Sequence, residues 1–192
     1  MARLLETLRE EHGGTVSLLL ALSAQIDDFE GGTRPDYDIV LAALEYFETF
    51  PDLYHHPKED LVYARLRERD AASADEIGDL ERAHRDLSEG VKKFASALRA
   101  VLNEAELPRS LFVERARRFV EAQRDHIRME EDRFFPAAER LLTEADWREL
   151  EAQIGTAADP LLGGRAGARF ERLRQAILSW QVENQTAAAT HP

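Results

Sequence analysis

The sequence predicts an all-α fold, an up-down four-helix bundle followed by two additional C-terminal helices. Three observations carry this. Glycine is scarce and falls mostly in the pairs Gly13-Gly14, Gly31-Gly32 and Gly163-Gly164, and the long stretch between the last two is rich in Ala, Leu, Glu and Arg. Those residues lose little on entering a helix. Apolar residues recur there at steps of three and four. Finally, all histidines except the terminal His191 fall in or beside these periodic segments.

The first helix is expected from Arg3 to Asp28, because Leu5, Leu8, Leu19, Leu22 and Ile26 share one stripe; Gly13-Gly14 weakens it locally and Gly31-Gly32 ends it. Asp36 is placed to cap a second helix that turns Ile39, Ala43, Leu44 and Phe47 inward. Pro51 and Pro57 predict a kink or turn across 51–57, after which Glu59, Val62 and Leu66 resume helical spacing to about Ala71. Ser73 with Glu76 reads as a capping box for the third helix, with Ile77, Leu80, Leu87, Val91, Phe94, Leu98 and Val101 as its stripe. Pro108 opens the fourth, whose inner face carries Phe112, Ala116, Phe119, Gln123, Phe134 and Ala137. Beyond Leu142 the spacing predicts a short capped helix over Thr143–Ile154, a loop to Gly167 and a last amphipathic helix over Ala168–Trp180. The domain division is thus a bundle over 1–142, a helical extension packed on it over 143–182, and a polar tail over 183–192.

A chain of 192 residues suffices for one hydrophobic core. Its net charge of -12 argues against nucleic acid and anionic membranes as partners. The absence of cysteine excludes disulfides, iron–sulfur clusters and thiol catalysis, and leaves His, Asp and Glu as the available metal ligands. No run approaches the ~20 apolar residues of a membrane span and no signal-like segment opens the chain, so a cytoplasmic protein, monomer or homodimer, is expected.

His12 falls between Leu5 and Leu19 at seven-residue steps, and His84 falls between Leu80 and Leu87, so both face the core. His55 with Glu59, and His126 with Glu130, are pairs four residues apart, one turn on the same helical face. Counted from the expected helix ends at ~1.5 Å per residue, these positions fall at one level of the bundle. Lys58, Arg85, Arg124 and Arg128 are expected to face outward, leaving the buried layer without a basic partner. Imidazoles and carboxylates buried together in this way cost several kcal/mol each unless a cation joins them.

These residues resemble the hemerythrin-like, HHE cation-binding family. The resemblance rests on His12, on the string His55-His56-Pro57-Lys58-Glu59-Asp60, on His84, and on His126-Ile127-Arg128-Met129-Glu130-Glu131, over roughly residues 3–142. It implies two iron ions, usually with an oxo or hydroxo bridge, and makes Glu59 and Glu130 the bridging carboxylates. The oxygen carriers place two histidines four residues apart on the third helix, whereas His84 is followed four residues later by Ser88. His56 is the candidate replacement, provided the backbone near Pro57 distorts enough to turn it inward. Asp60 and Glu131 are expected in solvent or behind the ligands. The implied arrangement puts one metal on His12 and His55 and the other on His56, His84 and His126.

The function this implies is binding, sensing or reaction of O2, NO or peroxide at a non-heme diiron centre, with a diiron oxidoreductase as the enzymatic form. The alternative is an iron-dependent regulatory or storage module without turnover; a helical adaptor with a polar core and no metal is a third.

Overall fold

The computed structural model describes residues 2–103, 108–154 and 175. Helix α1 spans Arg3–Glu30 and runs through Gly13 and Gly14 unbroken. It closes where Gly32 takes a φ of +86°, with Thr33 N–H donating to Asp28 O and Gly32 N–H to Phe29 O. That pair of bonds is the Schellman ending, and its left-handed residue favours glycine. Helix α2, Tyr37–Phe50, starts at Asp36, whose Oδ1 accepts from the Asp38 and Ile39 amides.

The kink expected across 51–57 is instead a single π turn, Pro51–His55, leading straight into α3, His56–Arg69. His56 N–H reaches back five residues to Pro51 O. Pro57 has no amide proton and its ring crowds the carbonyl four residues before it, and the wider turn accommodates both without stopping the helix.

The corner that follows also differs from expectation. Ser73 does not cap the third bundle helix. Asp70 caps a short α4, Ala71–Ile77, by accepting from the Ser73 amide, and Gly78, at a φ of +96°, ends it. The third bundle helix is α5, Leu80–Leu102, capped by Asp79. Tyr63 Oη pins this corner by donating to Gly78 O at 2.6 Å.

Helix α6, Arg109–Met129, passes through a second π turn, Glu130–Phe134, into α7, Phe135–Leu141. Here Phe135 N–H reaches Glu130 O, again one residue before a proline, Pro136. The two π turns are thus built alike, and each turns two consecutive side chains inward: His55 with His56, and Phe134 with Phe135.

Packing runs α1 on α2, α2 on α5, α5 on α6 and α6 back on α1, a closed ring of sequential neighbours. This is the up-down bundle. Helix α8, Glu144–Gln153, opens on a Thr143–Asp146 capping box and covers the end of the bundle with Leu150. Asp146 is held there by Arg65 and Arg69 of α3. The loop to Gly167, the helix over Ala168–Trp180 and the polar tail lie outside the described residues. No described helix is long and apolar enough to cross a membrane.

Among the described residues the apolar interior falls into two separate clusters. One contains Leu18, Leu22, Phe47, Phe94 and Phe119; the other contains Leu5, Leu8, Leu66, Leu80 and Phe134. On every bundle helix, the residues singled out by the sequence lie between them.

Candidate metal centre

All seven side chains predicted as ligands converge in that intervening layer. His12 comes from α1, His55 and His56 from the first π turn and the start of α3, Glu59 from α3, His84 from α5, and His126 and Glu130 from α6 and the second π turn. Glu59 and Glu130 are 0% and 1% exposed, which puts both carboxylates beyond the reach of bulk water. The common height depends on α4, which takes up the length between the end of α3 and the late start of α5.

The carboxylates face both groups of histidines. Glu59 Oε1 lies 3.4 Å from His12 Nε2 and 3.3 Å from His55 Nε2, while its Oε2 lies 3.5 Å from His84 Nε2. Glu130 Oε2 is 3.4 Å from His12 Nε2, and its Oε1 is 3.4 Å from His84 Nε2 and 2.9 Å from His126 Nε2. Ligand atoms of His12, His55 and Glu59 lie within 4.8 Å of one another, and so do those of His56, Glu59, His84 and His126.

Whether these atoms suit a cation can be judged from what they lack. Both oxygens of Glu59 and Nε2 of His126 are buried, and none of the close contacts of these three atoms is aligned as a hydrogen bond. Buried polar atoms without partners cost free energy, and a cation between them removes that cost. The imidazole and carboxylate donors fit iron, manganese or zinc.

Four of the five imidazoles are oriented from behind. His55 Nδ1 donates to Glu11 Oε2 at 2.7 Å, His12 Nδ1 to Glu131 Oε1 at 2.7 Å, His84 Nδ1 to Asp60 Oδ1 at 3.0 Å and His56 Nδ1 to Asp52 Oδ1 at 3.2 Å. Each bond fixes the tautomer that presents Nε2 to the layer. Ser88 holds Asp52 in turn, through its hydroxyl. Asp60 and Glu131 therefore stand behind the histidines, as expected.

Lys58 overturns an expectation. It does not face outward: it is 6% exposed, with Nζ 2.5 Å from Glu11 Oε1. The π turn changes the phase of α3, so outward placement read from an ideal helix fails at this residue. Arg85 and Arg128 are exposed and Arg124 half-buried, which agrees with the reading. Glu11 and Asp52 were missed. Asp52, one turn before His56, could have been found from its spacing; the Glu11–Lys58 pair crosses helices and has no local signal.

Without a cation the layer holds protons. Burial opposes a charged His55, but Glu59 and Glu11 outweigh it and push the imidazole up to about 9. For His84, burial is likewise outweighed, by Asp60, Glu130 and Glu59, and the value rises to about 11. His12 is raised by Glu130, Glu131 and Glu59 against its burial. His56 is lowered, chiefly by burial. Burial would raise Glu59, but His55, His12 and His84 hold it well below the carboxylate range.

No curated protein and no solved structure matches the chain significantly. The family model described as the hemerythrin HHE cation binding domain matches residues 3–138, a span that contains every residue of this layer, and the chain belongs to that family.

Proposed function

We propose that the layer holds two iron ions and that the protein binds, senses or reacts with O2, NO or peroxide there. One ion takes His12 and His55, the other His56, His84 and His126, and Glu59 and Glu130 span the two. The observation that carries this reading is the double facing of the buried carboxylates, each with one oxygen toward either group of histidines.

Iron in such a site supplies one-electron redox chemistry and open coordination positions for a small ligand. The chain supplies the rest. Glu11, Glu131, Asp60 and Asp52 fix the rings, and Phe135 lies flat against His12, with centroids 5.2 Å apart, sheltering the two-histidine side from water. With fewer nitrogens, that side keeps more open positions. Ser88 stands where the carriers have a second third-helix histidine and is engaged with Asp52 instead, which favours reaction or sensing over reversible oxygen carriage.

The test is anaerobic loading with ferrous iron, a count of iron per chain, and stopped-flow mixing with O2, NO and hydrogen peroxide. Two irons and a spectral change with at least one of the three are expected. Failure of all three to change the spectrum would sink the reading.

A further inference from the structure

The geometry points to the buried Glu11–Lys58 pair as the positioning device for the ion at His12 and His55, an inference that rests on the diiron reading above. Four carboxylates stand behind the histidines, and three of them reach water: the Asp52 side chain is 42% exposed, Asp60 35% and Glu131 31%. Glu11 is 1% exposed. Solvent can stabilise the first three wherever they stand, whereas Glu11 depends on what the protein places beside it.

Each Glu11 oxygen has a separate partner. Oε1 meets Lys58 Nζ at 2.5 Å and Oε2 accepts from His55 Nδ1 at 2.7 Å. Both partners come from the segment where the first π turn opens into α3, three residues apart, so one cross-helix grip from α1 sets the carboxylate and the ring together. Without the ammonium, a carboxylate left in the core is a strongly unfavourable group, and whether it takes up a proton or swings out, the bond that aims His55 Nε2 at Glu59 is weakened or released. The effect falls on one side of the layer. His55 is one of two imidazoles there, and the other side has three, two of them oriented by Asp52 and Asp60 without Lys58.

A pair that merely props up the fold would weaken both sides alike, and this difference makes the assignment testable. Lys58→Met and Glu11→Gln are made in the full chain, loaded anaerobically with ferrous iron and challenged with a ferrous chelator. Iron retained per chain is measured, with the electron paramagnetic resonance spectrum after oxidation in air. Wild type is expected to keep two irons with a coupled spectrum. Lys58→Met is expected to keep one, showing an isolated high-spin ferric signal, with affinity for the other lowered about 10–100-fold. Glu11→Gln, which retains an oxygen for His55, is expected to fall between. Equal affinities for both irons in Lys58→Met, or loss of both irons together with helical circular dichroism in both variants, would overturn the assignment. A wild type that takes up no iron would instead remove the diiron reading itself.

Discussion

His56 lies face to face with His84, their ring centroids 4.0 Å apart and their planes 8° from parallel. Two consecutive histidines cannot both face one core from an ideal helix, since successive side chains are about 100° apart. The extra residue in the first π turn lets both do so, and Asp52, held by Ser88, fixes the second ring.

Asp52→Ala should therefore weaken one side of the layer and spare the other. Iron affinity at the three-histidine position is expected to fall about 10–100-fold, with the two-histidine position little changed. Ser88→Ala, which only loosens Asp52, should do less. Chelator competition on the two variants checks the order; equal effects would mean that Asp52 does not act through His56.

Stability of the metal-free chain should depend on pH with a definite sign. His55 and His84, raised to about 9 and about 11, gain partners on folding, so their contribution is complete below the ordinary imidazole value of 6.5. It is lost as pH rises through the folded values. Urea midpoints at about pH 6, 8 and 10 should fall across the series without metal and fall less with iron bound, because the cation displaces those protons. Proton release on iron binding, read by calorimetry in buffers of different ionisation heat, is the companion measurement. A flat midpoint without metal would contradict the assigned pairs.

Asp146→Ala should loosen α8 and leave the layer alone. Asp146 is buried and takes the guanidiniums of Arg65 and Arg69 as well as the Thr143 hydroxyl. Losing them is expected to lower the melting temperature by about 3–8 °C with iron per chain unchanged. Calorimetry beside metal analysis would show it, and a loss of iron would mean that α8 helps to set the site.

Much of this was legible in the sequence because periodicity and height are properties of regular helices. His12 and His84 could be placed from their leucine neighbours, and Glu59 and Glu130 from their spacing to His55 and His126. The corner at Gly78-Asp79 was misread because Ser73 and Glu76 satisfy a capping pattern that Asp70, three residues earlier, takes over in the fold. The second π turn was invisible as well: Phe134-Phe135-Pro136 repeats the order of His55-His56-Pro57 in apolar residues, which attract no attention as ligands. Lys58 was lost for the related reason that phase past a π turn cannot be counted from an ideal helix.

The layer between the two apolar clusters also governs how the molecule comes apart. Four bundle helices thread both clusters, which are separate among the described residues. Between the halves lies the ring of imidazoles and carboxylates, whose members attract or repel according to what lies among them. A cation held by ligands from both sides would couple the halves, and a single sharp unfolding transition is expected of the loaded protein. Without a cation and at a pH that removes its protons, the coupling is expected to weaken, and calorimetry of the metal-free chain should show a broader or divided transition.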